Sequence, residues 1–479
     1  MRKISIIGAG SIVFCKTLIL DVLVTPGLED TTFCLMDISD QRTTRLKAYL
    51  EKIKEKYGLK AEFQVTTDRR EALMGADYVI STFLIGGMRA YQVDYEVPLK
   101  YGVDQCIGDT LSPGGIFRAM RTIPVMNSLA AEIRELCPNA LLLNYVNPMS
   151  AVCLSLANSG VKVVGLCHGV QTTLDLLSRY TGVEKSEIDY ICAGINHMGW
   201  FIKLESHGKD LYPKLREVFE KPEYYANEKV RGEMFRHFGY FMTESSGHLS
   251  EYLPYFRRSR ETLDIYCDEP LFGGESGAAY YWNLKVSQKY GNRDIFADEP
   301  IELPKRSVEY GSYIIEAIEC NRVFRFNGNI RNNGCIENLP DNCCAEVPIF
   351  ADGAGVHPTA VGKLPPQCAA LNMTNVLVHQ LTVEAAESGD PEALVYALSM
   401  DPLTSAVLPL PKIREMASEM LEKSRAWLPQ FAGKSIRLNP KVIIPADIQR
   451  VSVPTDPALA ISEPVSYTHL RAHETSAHL

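Results

Sequence analysis

Lys3-Ile-Ser-Ile-Ile-Gly-Ala-Gly-Ser11 is the stretch that decides the fold. The β-branched run Lys3 to Ile7 predicts a strand, and the apolar residues from Ile12 to Val24 recur at helical spacing, so a tight glycine turn joins a strand to a helix. That geometry aims backbone N–H groups and a helix N-terminus at one point, which is how a pyrophosphate is held. Gly8, Gly10 and Ser11 are therefore the expected cofactor-binding turn. The third glycine of the usual fingerprint is missing, because Val13 stands in its place. The next strand compensates. Thr32 to Met36 ends at Asp37, where a carboxylate accepts hydrogen bonds from an adenine ribose and disfavours a 2′-phosphate. An N-cap is the other use of an aspartate there. The ribose contact is preferred, given the turn before it, and points to NAD.

Further strands are expected at Phe63 to Thr66, Tyr78 to Phe83, Ala140 to Tyr145 and Lys162 to Leu166, with helices between them. This alternation predicts an α/β protein with a Rossmann-like, doubly wound parallel sheet. Phe83-Leu-Ile-Gly-Gly-Met88 suits a loop passing close to a nicotinamide ribose, and Asn147, in Asn144-Tyr-Val-Asn-Pro148, ends its strand where a sugar or cofactor is met. Asn-Pro turn chemistry is its plainer use. From about Ala193 the alternation fades into long helices and shorter strands, so residues 1–192 are expected to form the nucleotide domain and 193–464 an α+β domain for substrate and metal. Val376 to Glu387 and Ile413 to Trp427 read as amphipathic helices. Val465 to Leu479 resembles a translated sequencing adapter. Its three histidines are set aside, and the segment is expected to be disordered.

The chain has 479 residues, 46% of them hydrophobic and 22% charged, which suffices for two domains with full cores. No apolar run reaches the length of a spanning helix, and Met1-Arg2-Lys3 leads into a strand and not a signal-peptide core. A net charge of −9 argues against nucleic acid or an anionic membrane as partner. Thirteen cysteines without framework spacing are expected to be reduced thiols in a cytoplasm.

Two of the remaining residues restrict the chemistry. Cys167 lies in Val164-Gly-Leu-Cys-His-Gly-Val170 and His197 in Cys192-Ala-Gly-Ile-Asn-His-Met198, each where an apolar strand stops. Taken singly, such residues are usually core packing. At strand ends above a nucleotide turn, a thiolate and an imidazole make a half-shell for a divalent cation, with substrate oxygens or water in the open positions.

Several ordered segments carry a resemblance. They are Gly8-Ala-Gly-Ser11, Asp109-Thr-Leu-Ser-Pro-Gly-Gly-Ile-Phe-Arg-Ala119, Leu143-Asn-Tyr-Val-Asn-Pro-Met149, Cys167-His-Gly-Val170, Cys192 to Met198 and Asn329-Ile-Arg-Asn-Asn-Gly-Cys-Ile-Glu-Asn-Leu-Pro340. Together they resemble glycoside hydrolase family 4, the NAD- and metal-dependent glycosidases, over most of the chain to about Leu428. Tyr240-Phe-Met-Thr-Glu-Ser-Ser246, Glu251-Tyr-Leu-Pro-Tyr-Phe256 and Gly355 to Pro365 bring it nearest to melibiase-type α-galactosidases.

The resemblance implies a lactate/malate dehydrogenase-like architecture, NAD and Mn²⁺ or another divalent cation as cofactors, and a homodimer or homotetramer. It implies hydrolysis of a terminal α-hexoside by transient oxidation at sugar C3, proton loss at C2 and departure of the aglycone from C1, with no net oxidation. Cys167 and His197 would hold the cation, Tyr252 would be the base with Tyr255 as alternate, and His168 would assist the leaving group. Asp109, Asn147 and Arg331 would contact the sugar, with Arg118, Arg121 and Asn332 nearby.

α-Galactosides are the expected substrates. Gly169 stands where α-galactosidases of the family carry serine, as in α-glucuronidase-like members, and Gly247 where melibiase-type relatives carry glutamate. Both glycines are expected to leave room in the sugar pocket, so an α-glucuronide, α-galacturonide or α-glucoside is the alternative. Arg257, Arg258 or His248 would then supply a cation for a uronate. An NAD-dependent 2-hydroxy acid dehydrogenase, which needs no metal-binding cysteine, and a non-catalytic NAD-binding regulator are the readings from other classes.

Overall fold

A computed structural model describes residues 2–290, 294–297 and 299–454 and places the glycine turn at the end of the third strand from one edge of a twelve-stranded sheet. The first six strands are β1 (Lys3–Ile7), β2 (Thr32–Met36), β3 (Glu62–Thr66), β4 (Tyr78–Ser81), β5 (Leu141–Asn144) and β6 (Lys162–Gly165). They run parallel in the order β3-β2-β1-β4-β5-β6. Strand order reverses between β1 and β4, the crevice where ligands meet the carboxyl ends of such sheets. Ile4, Ile6, Val79, Ile80, Leu142 and Leu143 are buried. β4 and β5 are buried throughout and read as apolar runs, whereas the edge strand β3 alternates polar and apolar residues.

The second half departs from expectation. Its strands are β7 (Asp189–Ile195), β8 (Met198–Ser206), β9 (Lys209–Asp210), β10 (Phe324–Arg331), β11 (Cys344–Asp352) and β12 (Gly355–Pro358). β10 continues the first sheet through Asn329 opposite Gly165, and β11 joins β7 through Glu346 opposite Gly194. β7, β8, β10 and β11 are longer than any strand of the first half, and the expected boundary at 192/193 falls inside β7. The chain through Leu438 is one unit. Buried polar residues hid these strands in the sequence, since Asn327, Asn329 and Glu346 occupy fully buried positions and interrupt the apolar pattern. Residues 439–454 contain no helix or strand, and the adapter-like segment and the expected domain end at 464 lie outside the described residues.

Among the described residues no helix is long and apolar enough to cross a membrane, and all thirteen cysteines are unpaired. The two expected late helices are found as Pro366–Ser388 and Leu410–Ser424. The former buries His379, whose Nε2 has no hydrogen-bond partner, and burial pushes that imidazole down to about 4. The unfolded chain then binds a proton that the folded chain refuses. Stability from this residue is present above the unfolded pKa of about 6.5 and lost as pH falls toward the folded one. Between pH 7 and pH 5 it should remove about 2 kcal/mol. Urea midpoints at the two pH values should show that loss in the parent and a smaller loss in His379→Leu.

The site is braced from the far end of the chain. The helix Ser112–Leu136 opens at Ser112, whose N–H donates to Asp401 Oδ1 at 3.2 Å and whose hydroxyl donates to the Glu251 carbonyl at 3.1 Å. The Glu251 carboxylate accepts the N–H groups of Ile107 and Gly108, although burial pushes its carboxyl up to about 7. Asp109 follows directly, so two distant carboxylates position its loop.

Candidate active site

Gly8 adopts φ +94°, and a β-carbon there would lie 2.3 Å from the Thr82 carbonyl oxygen. Only glycine fits that close approach. The N–H groups of Gly8 and Ala9 donate to the Met36 carbonyl at 2.9 Å, and Gly10 N–H donates to Asp37 Oδ2 at 2.8 Å. Asp37 is therefore tied to the turn and is not an N-cap, since the helix Asp40–Tyr57 is preceded by Ser39. Ser11 makes no side-chain cap on the helix Ile12–Leu23, which leaves the start of that helix uncapped. A close-approach turn, a bare helix N-terminus and a strand-end carboxylate fit a dinucleotide.

Cys167 follows β6, and His197 sits in the tight turn between β7 and β8. One ligand atom each from Cys167, His197 and Glu244 lies within 4.8 Å of the other two. His197 and Glu244 both adopt left-handed backbone conformations, φ +62° and +71°. Such strain in residues with side chains collects at functional sites. The soft, borderline and hard donors gathered here suit a divalent transition metal.

His197 Nδ1 lies 3.0 Å from the Tyr252 hydroxyl and 3.4 Å from Thr110 Oγ1, which leaves Nε2 toward the cluster. Thr110 Oγ1 donates to Asp109 Oδ1 at 2.8 Å, and Asn147 Nδ2 donates to Asp109 Oδ2 at 3.0 Å. Arg118 stands 3.7 Å from the same carboxylate. Asp109, Thr110, His197 and Tyr252 thus form one hydrogen-bonded line beneath the cluster. A cleft of about 390 Å³ is lined by Ser11, Thr82, Asn147, Cys167, His168 and His197, so the glycine-turn end and the thiol–imidazole pair open into the same space. His168 stands half-exposed in it, 3.5 Å from Glu309.

The electrostatics follow from burial opposed by neighbours. Burial pushes the Cys167 thiol up, with Glu244 and Glu346 adding to it, and pushes the His197 imidazole down. Burial, then Asp109 and Glu251, hold the Tyr252 phenol well above its ordinary value. Burial opposes ionisation of Asp109 and Glu244 too, but Arg118 with two histidines and His197 with His248 respectively keep both carboxyls below the usual range. Glu244 therefore brings a carboxylate to the cleft beside Cys167 and His197, with the Asp109 carboxylate behind Asn147, an environment for a cation.

Other expectations are corrected. Arg331 reaches Asn158 Oδ1 at 3.5 Å, at the far end of the helix Met149–Asn158, which separates it from the cleft by about 15 Å of helix. Asn332 turns inward and donates to the carbonyls of Ile336 and Leu339, bracing its own loop. Arg121 is buried against Asp94, and Arg257 against Asp104, so neither faces a sugar. Arg258 is exposed and does not line the cleft, whereas His248 does. Tyr255 is exposed and packs on Phe238 and Phe256, whereas Tyr252 is buried beside His197. A β-carbon on Gly247 would meet the Phe272 carbonyl at 2.5 Å, so that glycine serves loop packing and not the pocket. Glu244 and Glu309, which sequence reasoning passed over, both line the cleft. Their spacing from Cys167 carries no local signal.

The description "Family 4 glycosyl hydrolase" matches residues 3–183, and "Family 4 glycosyl hydrolase C-terminal domain" matches residues 192–404. The chain is 40% identical over 439 residues to an α-galactosidase of Rhizobium meliloti (strain 1021), covering 90% of each. The solved Bacillus subtilis lplD protein superposes with a TM-score of 0.76 at 25% identity, over 88% of this chain and 100% of that one. A 6-phospho-α-glucosidase from gut microorganisms, solved in complex with NAD and Mn²⁺, has a TM-score of 0.73 at 22% identity, covering 89% and 99%. With both of its halves matched and a relative alike over nine-tenths of its length, this chain belongs to glycosyl hydrolase family 4.

Proposed function

We propose that this family 4 enzyme hydrolyses terminal α-galactosides by transient oxidation of the sugar and not by a pair of carboxylates. The observation that carries the reading is the shared cleft, where Ser11 of the nucleotide turn and Cys167, His197 and Asn147 line one space. The α-galactosidase relative supports the substrate, and the neighbour solved with NAD and Mn²⁺ supports the cofactors. When bound, NAD supplies a reversible hydride acceptor and the divalent cation a Lewis acid beside the sugar hydroxyls.

The chain's own residues do the rest. Gly8, Gly10, Ser11 and Asp37 hold the dinucleotide, and Cys167 and His197 hold the cation. Asp109 and Asn147, bonded to one another at 3.0 Å, orient the sugar, while Arg118 keeps Asp109 ionised. Tyr252 removes the C2 proton, and His168 gives a proton to the departing oxygen. A neutral sugar suits this cleft better than a uronate, because the buried Arg257 is committed to Asp104 and Arg258 does not line the cleft, so neither offers a cation to a carboxylate at C6.

A panel of nitrophenyl α-galactoside, α-glucoside, α-glucuronide and α-galacturonide tests this directly. Nitrophenol release is expected from the α-galactoside, only with both NAD⁺ and Mn²⁺, and to fall to background on chelation. Release from the uronides alone would replace the substrate. NADH accumulating in step with substrate consumed would replace hydrolysis by net oxidation.

A further inference from the structure

Glu244 lines the cleft and has no part in the proposed reaction. Its Oε1 lies 3.6 Å from Cys167 Sγ and 3.8 Å from His197 Nε2. The first is the length of a thiol-to-carboxylate hydrogen bond, and the second exceeds hydrogen-bond length. Donors sitting about 2.0–2.3 Å from one cation lie roughly 3–4 Å from each other, so the spacing is that of atoms sharing an ion. The other oxygen, Oε2, lies 3.6 Å from His248 Nδ1, whose hydrogen-bond partner is Ser245 Oγ at 2.8 Å. The backbone is held at φ +71° to point the side chain this way.

Gly169 is the other half of the arrangement. A β-carbon built on it would lie 1.9 Å from Glu244 Oε1 and 3.5 Å from Cys167 Sγ. Any side chain at 169 therefore competes for the space the carboxylate fills. Gly169 is not in the left-handed region, so its backbone tolerates a side chain and the conflict is with Glu244 itself.

We propose that Glu244 is a third protein ligand of the divalent cation, and that the missing side chain at Gly169 is what lets its carboxylate reach the site. This rests on the reading that Cys167 and His197 hold a cation. The site thereby becomes a three-ligand Cys/His/Glu shell, leaving fewer positions for sugar oxygens and water than a Cys/His pair would.

The test is MnCl₂ titration of the full-length, metal-stripped protein without substrate, by calorimetry and by the EPR signal of free Mn²⁺. Glu244→Gln should weaken binding about tenfold or more, Gly169→Ser should weaken it similarly, and the double variant should be no weaker than Gly169→Ser alone. Thermal melts in chelator establish that each variant is folded, and should Gly169→Ser fail that check, the isosteric Glu244→Gln decides. Binding by Glu244→Gln within twofold of the parent, with Cys167→Ser losing it, would overturn the ligand role and leave the Cys167–His197 reading standing. Weakening by Glu244→Gln but not by Gly169→Ser would overturn the role given to Gly169. If Cys167→Ser also binds as the parent does, the metal reading itself falls.

Discussion

Cys167→Ser should abolish measurable turnover, a loss of about a thousandfold or more, while the protein keeps its fold. Cys167 is the sulfur donor of the cluster and follows β6, in the cleft that Ser11 also lines. Nothing else nearby replaces it, because the neighbouring His168 points to Glu309. Serine is nearly isosteric, and the Cys167 carbonyl, which accepts the Tyr310 hydroxyl, stays in place. Circular dichroism and melting in chelator should therefore match the parent. Steady-state hydrolysis with saturating NAD⁺ and Mn²⁺ makes the comparison, and a variant retaining a tenth of parental kcat would remove Cys167 from the machinery.

Tyr252→Phe should lower kcat by about 10²- to 10⁴-fold with a small change in KM, the range for losing a general base. The side chain is buried and its ring lies parallel to His197 with centroids 6.2 Å apart, so phenylalanine keeps the packing and removes one oxygen. The structural cost is one hydrogen bond, about 1 kcal/mol. Burial and nearby carboxylates hold the phenol above its ordinary range, which alone would make it a poor base at neutral pH. His197 Nδ1 lies 3.0 Å from that hydroxyl, and were Nε2 to hold a cation, the Nδ1 proton would donate to the phenol oxygen and favour the phenolate. If Tyr252→Phe loses less than tenfold in kcat, proton removal belongs to another group.

Legibility followed the range of the contacts. The turn Gly8 to Ser11 and the strand end at Asp37 were readable because strand, turn and helix are local, and the structure ties them together by a bond between Gly10 and Asp37. Cys167 and His197 stood out because each ends an apolar run, a feature that survives without knowing which strands are neighbours. Glu244 did not, since its place beside Cys167 depends on a contact across 77 residues and on the empty space at Gly169. Arg331 was misplaced for the opposite reason. Its Asn- and Gly-rich surroundings look like a binding loop, yet Asn329 to Arg331 finish β10 and the arginine turns toward Asn158. Gly247 likewise reads as a missing pocket side chain until the Phe272 carbonyl is found against it. The single sheet was hidden by Asn327, Asn329 and Glu346, polar residues at positions that pattern reading reserves for apolar ones.

The most direct measurement is hydrolysis of an α-galactoside in D₂O, followed by NMR or mass analysis of the released sugar. Proton removal at C2 and its later replacement predict one solvent-derived deuterium at C2 of the product, absent from unreacted substrate. A product carrying only hydrogen at C2 would mean that the bond is cleaved without passing through an oxidised sugar, and would contradict the account.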